Sequence, residues 1–379
     1  MSARFLRLAC TAAVAAQAVL APVPALAVPE PQRPVAELLT DLQQLYRQAE
    51  QATETYNATE ERLQRQRAEV TRLDDELALA RRSLHSSRAE AGRLARQQYQ
   101  STSGISPYIR LLLARDPQHA LDEGHVIGEL ARERARTVGR LAGDERKQAD
   151  LARKARKAFD TRLALADAEK KQRDEVRARL SEVERMLAAL TPDQLTALAA
   201  LEQNRTADAQ RRLTTSGSLS ATTPPPSQEG DRAVRYAVQQ LGKPYEWGAA
   251  GPKTYDCSGL TSQAWDHAGT PIPRTSQEQW AALPHVPLNQ LRPGDLVVYF
   301  PEATHVALYL GGGRVVQAPR PGAKIKVSPI AANPILGAVR PDPKARPLTR
   351  YTPPTVPKEA TEGPDEGFNP SQPTAPTPT

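Results

Sequence analysis

The sequence predicts an α+β protein in two parts: a long α-helical coiled-coil hairpin, then a small domain of helices packed on an antiparallel sheet. Three observations lead there. Apolar residues recur at alternating threes and fours through the first half of the chain, the 34 prolines fall mostly before residue 35 and after residue 220, and short β-rich runs separated by glycines gather towards the C-terminus. Only 39% of the 379 residues are hydrophobic and 4% aromatic, so much of the chain cannot be ordinary globular core.

In chain order, Arg4 and Arg7 precede an apolar run from Leu8 to Leu20, and Ala25-Leu26-Ala27 supplies small residues for cleavage. This pattern predicts a secretory signal over residues 1–27, followed by a short segment over 28–34. The run is too short to span a bilayer, which needs roughly 20 apolar residues. Removing the signal takes Cys10 with it and leaves Cys257 as the one thiol of an exported chain, either a buried inert cysteine or a reactive one.

The hairpin is expected over residues 35–212. Leu42, Leu45, Ala49, Ala52, Tyr56, Thr59, Leu63, Gln66, Val70, Leu73, Leu77, Ala80, Leu84, Ser87, Ala91 and Leu94 form a heptad seam, which predicts one helix from about Val35 to Gln100. At 1.5 Å per residue such a helix is on the order of 100 Å long and needs a partner for its stripe. Gly104 and Pro107 break it, and a second helical arm runs from about Leu121 to Leu190. Tyr108, Ile109, Leu111, Leu112, Leu113, Ala120 and Leu121 cluster at the tip, either as packing that closes it or as a docking site. Thr191-Pro192-Asp193 starts a further helix. Residues 213–229 have the composition of a linker, and residues 341–379, rich in proline and threonine, that of a disordered tail without a sorting signal.

A formal charge of +7 and a pI near 9.4 suit an anionic partner such as a wall polymer or a membrane surface. Nucleic acid is not expected, because the basic residues are interleaved with nearly as many acidic ones and no recognition motif accompanies them.

The chemistry is expected in residues 230–340. Cys257-Ser258-Gly259-Leu260 opens a helix after the turn Gly242-Lys243-Pro244, and a helix start favours a thiolate and offers amide donors to an oxyanion. Leu296 to Phe300, His305 to Leu310 and Arg314 to Ala318 read as strands, the last two joined by Gly311-Gly312-Gly313. If those glycines form the loop, Ala307 faces Gln317 and His305 lies diagonally from Gln317 on one sheet face. One imidazole nitrogen then meets an amide oxygen and the other a thiol, although His305 alone could be an ordinary strand histidine. His85, His119, His125, His267 and His285 are scattered, so neither a metal nor another cofactor is expected.

The blocks Tyr245-Glu-Trp-Gly, Asp256-Cys257-Ser258-Gly259-Leu260, Pro273-Arg274-Thr275-Ser276, Leu291-Arg-Pro-Gly294-Asp295-Leu296, His305-Val-Ala-Leu-Tyr-Leu310 and Val316-Gln317-Ala-Pro-Arg-Pro-Gly322 resemble, in order, the NlpC-type cysteine peptidases, papain-like endopeptidases of bacterial cell walls. The resemblance implies a papain-like domain with Cys257 as nucleophile, His305 as general base and Gln317 as the residue orienting it. Most relatives carry His at this third position. It further implies that the Tyr245 hydroxyl helps the Cys257 amide bind the oxyanion, that Asp256, Ser258 and Ser276 line the groove for the stem peptide, and that the bond cleaved joins D-glutamate to a diamino acid of peptidoglycan. By its layout the chain also resembles secreted coiled-coil peptidoglycan hydrolases, in which the hairpin restrains the catalytic domain or docks on a membrane protein complex. Two competing expectations stand beside this one: an amidase or acyltransferase of the same fold, and a non-catalytic wall scaffold.

Overall fold

The computed structural model describes residues 34–101, 107–114, 116–220 and 222–361. The expected signal over residues 1–27 lies outside them. Helix α1 (Val35–Ser101) pairs along its length with helix α3 (Pro117–Ala188), and the short α2 (Pro107–Leu112) lies between them in the chain. As α1 advances its partners recede along α3: Gln48 meets Arg179, Gln66 meets the Ala158 carbonyl, Arg88 meets Glu145 and Glu90 meets Arg140. The pairing is therefore antiparallel. Its middle is the seam read from the heptads, with Val70, Leu73, Leu77 and Ala80 packed on Leu151, Ala155 and Ala158.

Asp116 caps α3, accepting from the His119 amide at 2.8 Å, and Pro117 follows it in the first turn. Helix α4 (Pro192–Thr215) begins with a capping box of Thr191 and Gln194, then folds back so that Leu198 joins Leu38, Leu39, Leu42, Tyr46 and Val183 at the root of the hairpin. The tip is different. Tyr108, Leu112, Leu113 and Leu121 are 60–83% exposed, so this cluster does not close the tip by packing.

The second unit holds helices α5 (Gln228–Gln239), α6 (Cys257–His267) and α7 (Ser276–Ala282) and six antiparallel strands in the order β1-β6-β2-β3-β4-β5. These are β1 (His285–Val286), β2 (Leu296–Tyr299), β3 (His305–Gly311), β4 (Arg314–Gln317), β5 (Lys326–Pro329) and β6 (Ile335–Val339). One sheet face, with Leu296, Val298, Val306, Leu308 and Val316, packs on Ala233 and Val234 of α5 and Leu260 and Trp265 of α6. The other, with Val297, Tyr299, Ala307, Tyr309 and Val315, is covered by Ile330, Leu213 at the end of α4 and Leu219 beyond it. Covering on both faces accounts for the continuous burial of β3.

Two expected boundaries shift. The linker expected over 213–229 lies against this domain through Leu213 and Leu219, and the Thr223 hydroxyl accepts from the Gly312 amide at 3.2 Å. Nor is the chain loose from residue 341. Buried Arg292 requires a carboxylate, and Asp342 supplies it at 2.8 Å. The Leu348 amide then bonds the Pro226 carbonyl, and Val356 packs against the core. The remainder of the expected tail, residues 362–379, lies outside the described residues.

Candidate active site

Asp256 organises the start of α6. It is the N-cap, with φ −90° and ψ −179°, and its Oδ1 accepts from the Gly259 amide at 2.6 Å. Gly259 is required here, since a Cβ would lie 2.2 Å from the Ala249 carbonyl oxygen. That close approach brings the loop after Tyr245 onto the helix, and the Gly248 amide donates to Asp256 Oδ2 at 3.0 Å. Arg274 adds two bonds, Nη1 to Oδ1 at 3.0 Å and Nη2 to Oδ2 at 2.8 Å, and also donates to Ser258 Oγ at 2.8 Å. Two separate segments thus converge on the first turn of α6.

Cys257 is the first residue of that helix, buried beside Tyr245, with the backbone of Val306 hydrogen-bonded to its sulfur. Next to Val306 in β3 stands fully buried His305. The pairing of Leu308 with Val316 sets Gln317 opposite Ala307, and from there Gln317 Oε1 lies 2.8 Å from His305 Nε2. Gln317 Nε2 donates to Ser328 Oγ at 2.8 Å, which fixes the amide with its oxygen towards the ring. His305 Nε2 must therefore carry the proton of that bond, and Nδ1 is the nitrogen left to act as base.

The mouth of this site is covered by α1. Glu54 Oε1 lies 2.7 Å from Ser258 Oγ and 3.6 Å from Cys257 Sγ, and its Oε2 accepts from the Ser276 amide at 2.8 Å. One turn earlier, Glu50 Oε1 is 3.3 Å from His305 Nδ1. One turn later, Asn57 Nδ2 donates to Asp256 Oδ2 at 3.0 Å. Tyr56 stands edge-on to Trp247 at 5.1 Å, and the Tyr46 ring lies 4.0 Å from the Arg320 guanidinium.

The electrostatic effect of this cover is opposite to that expected of a helix start. Burial, then the carboxylates of Glu54, Asp256 and Glu50, push the Cys257 thiol well above its ordinary value, outweighing the Val306 bond. Burial, the largest single influence, would lower the His305 imidazole, but Glu50 beside Nδ1, Gln317 and Glu54 together outweigh it and raise the ring. A raised thiol pKa disfavours the thiolate, the form in which a cysteine attacks. Tyr245 is likewise pushed up, by burial first and by Cys257 next.

The structure brings Cys257, Tyr245, Asp256 and Ser258 together around the first turn of α6 and His305 with Gln317 on the sheet. Ser276 turns its hydroxyl away, donating to the Ala303 carbonyl at 2.7 Å, and faces the groove with its backbone amide. Arg274 was not singled out from the sequence, although it stands in the Pro273-Arg274-Thr275-Ser276 motif, nor were Glu50, Glu54 and Asn57, polar residues that helical periodicity assigns to solvent. Among the described residues no group of three or more His, Cys, Asp or Glu side chains could hold a metal ion.

Residues 242–337 match the family model described as the NlpC/P60 family. A probable endopeptidase of Mycobacterium tuberculosis is 30% identical over 354 residues, covering 81% of this chain and 90% of its own length. The chain belongs to the NlpC/P60 family. A probable endopeptidase of Corynebacterium glutamicum is 40% identical over 120 residues, and the chain spans 57% of that relative's length. Among solved structures, the NlpC/p60 domain of the peptidoglycan hydrolase SagA is 32% identical over 29% of this chain and 97% of that one, with a TM-score of 0.28. The NlpC/P60 match takes in Tyr245, Cys257, His305 and Gln317, whereas the mycobacterial relative's 81% coverage extends the likeness well beyond that domain.

Proposed function

We propose that the chain is a secreted, wall-associated peptidoglycan endopeptidase that cleaves the stem peptide between D-glutamate and the diamino acid, and that α1 holds it inactive until the helix is moved. One observation carries the reading: the one thiol among the described residues opens a helix and is bonded by the backbone of Val306, next in β3 to an imidazole whose Nε2 is fixed by an amide oxygen at 2.8 Å. The relatives named as probable endopeptidases support the reaction class.

With α1 displaced, Glu50 and Glu54 leave the pair, the thiol proton passes to His305 Nδ1, and the thiolate attacks the glutamyl carbonyl. The Cys257 amide and the Tyr245 hydroxyl receive the oxyanion. Imidazolium returns the proton to the departing amine of the diamino acid, which leaves a thioester. Water attacks the thioester with His305 again as base, releasing the glutamyl carboxylate and the free thiol. Gln317 orients the ring throughout without offsetting its charge.

Mass spectrometry of muropeptides tests this reading, using the full chain carrying Glu50→Ala and Glu54→Ala beside the same chain with Cys257→Ala. A product beginning with the diamino acid, seen only with Cys257 intact, is expected. A different product would favour an amidase or acyltransferase, and no product would leave a wall-binding scaffold. The exposed apolar tip, far along the hairpin from Glu54, is where a membrane protein complex would engage to draw α1 away.

A further inference from the structure

A helix that merely covered a groove would do so with apolar residues, as α1 does where Leu39, Leu42, Val70 and Leu73 meet its partner helices. Over the groove its buried strip is instead Glu50, Thr53, Glu54 and Asn57, none more than 8% exposed. Burying carboxyl groups is costly unless the opposing surface supplies their hydrogen bonds. Here the surface does so in detail.

The Glu54 carboxyl group meets three donors at once: the Ser276 amide at 2.8 Å, the Ser258 hydroxyl at 2.7 Å and the Cys257 thiol at 3.6 Å. The Ser258 hydroxyl is free to point at it because Arg274 fixes that oxygen from behind, at 2.8 Å. Asn57, three residues on and so on the same helix face, presents the opposite polarity, an N–H directed at Asp256 Oδ2 at 3.0 Å. The remaining bonds of Asp256 come from its own domain: Gly248, Gly259, Arg274 and Ser258. The groove beside the nucleophile therefore holds a place for a carboxyl group and, next to it, a place for an N–H donor. When α1 leaves, the donors and the acceptor lose partners that only a ligand or water can replace.

We infer that Glu54 and Asn57 act as a tethered ligand, imitating the carboxyl group and the N–H of the substrate residue on the acyl side of the scissile bond. This rests on the peptidase reading and deepens it, because cover and substrate then compete for one subsite. A peptide carrying both groups opens the enzyme by occupying the place of α1, and its apparent affinity is reduced by the fraction of molecules in which α1 is docked. The chemical class of such a peptide follows: an acyl-side residue with a free carboxyl group outside the peptide chain and an N–H within reach of Asp256, as a γ-linked glutamyl residue provides.

The test uses the full chain with Cys257→Ala, so that nothing is turned over, and L-alanyl-γ-D-glutamate as the probe in a calorimetric titration. Adding Glu54→Ala and Asn57→Ala should tighten binding by at least about tenfold, with Glu54→Gln intermediate, since the competing ligand has been removed. The same dipeptide with its glutamyl carboxyl amidated should bind more weakly to every variant. Equal affinity with and without Glu54 and Asn57 would overturn the inference, as would failure of the open variant to bind the dipeptide. Glu54→Gln guards against misfolding, because it keeps the helix face and its shape. As a second readout, Glu54→Ala should speed alkylation of Cys257 in the otherwise natural chain, and an unchanged rate would contradict the docked arrangement. Competition without any muropeptide cleavage would leave this inference standing and sink the peptidase reading instead.

Discussion

Gln317 sets a neutral amide against the imidazole proposed as the base. It accepts from His305 Nε2 and so selects the tautomer, but it carries no charge to offset imidazolium. In the α1-released chain, Gln317→Ala should lower kcat by about tenfold, the worth of one buried hydrogen bond of roughly 1.4 kcal/mol. Gln317→Glu should instead raise the imidazole pKa and move the acidic limb of the pH–rate profile upward; an unmoved limb would show that position 317 does not act through the ring. Ser328 holds the Gln317 amide the right way round, so Ser328→Ala should lower kcat with little change in KM, and Ser328→Thr should restore it. Glu54 sets a second pH dependence. Burial first and Asp256 next raise its pKa from an ordinary 4.5 to about 7 in the docked state, against the Ser258 bond, Arg274 and the Ser276 amide. A carboxyl group with a raised docked pKa favours docking while protonated, so docking is strongest below about 4.5 and weakens as the pH rises towards about 7. His305, raised by Glu50 in the docked state, acts in the same direction. The groups facing Glu54 are Cys257, Asp256, Arg274, His305 and Tyr245 across the groove, and Glu50 lies one turn before it on its own helix. Alkylation of Cys257 should therefore rise more steeply with pH in the natural chain than in Glu54→Gln, and parallel profiles would contradict this.

Helix α1 has two buried faces, and only one of them was legible in the sequence. The heptad positions Val70, Leu73, Leu77 and Ala80 announced the seam against α3, because apolar spacing is what periodicity detects. Tyr46, Glu50, Glu54 and Asn57 form a second stripe at helical spacing, but polar residues in a helix read as solvent-facing unless a partner surface is known. The partner surface lies some two hundred residues further on, at Asp256, Ser258 and His305. The motifs, by contrast, were local: the cap at Asp256, the cysteine after it and the hairpin that sets Gln317 diagonal to His305 all depend on neighbours in sequence or on one tight loop. Ser276 was named from the sequence without a contacting group, and nothing in the sequence says that its hydroxyl turns to Ala303 while its amide faces the groove. Two expected outcomes belong to this scale. Leu42→Ala, at a fully buried site in the root of the hairpin, should cost about 2–5 kcal/mol in thermal or denaturant unfolding. Gly259→Ala, whose methyl would meet the Ala249 carbonyl at 2.2 Å, should displace the loop from α6 and abolish activity even with α1 released.

Across the whole molecule the helical unit holds the NlpC/P60 domain at two places. One is the groove under α1; the other is α4, where Gln210 bonds the Gly313 carbonyl and the Ala331 amide at 3.2 Å each and Glu202 approaches Arg320 at 3.9 Å. The α4 contact can keep the two units joined while α1 is lifted, and the exposed apolar tip lies on the order of 70 Å along the hairpin from Glu54, far enough for a partner to act without obstructing the groove. In the proposed arrangement the same chain would carry the catalytic pair, the helix that closes it and a surface through which that helix is moved. The most direct measurement is muropeptide cleavage by the natural full chain compared with the Glu50→Ala, Glu54→Ala chain, with Cys257→Ala in the second as control. Little or no product is expected from the natural chain, a diamino-acid-led product at least about tenfold faster from the opened one, and none from the control. Equal rates from the natural and opened chains would contradict the claim that α1 holds the site closed, and product from the control would contradict the assignment of Cys257.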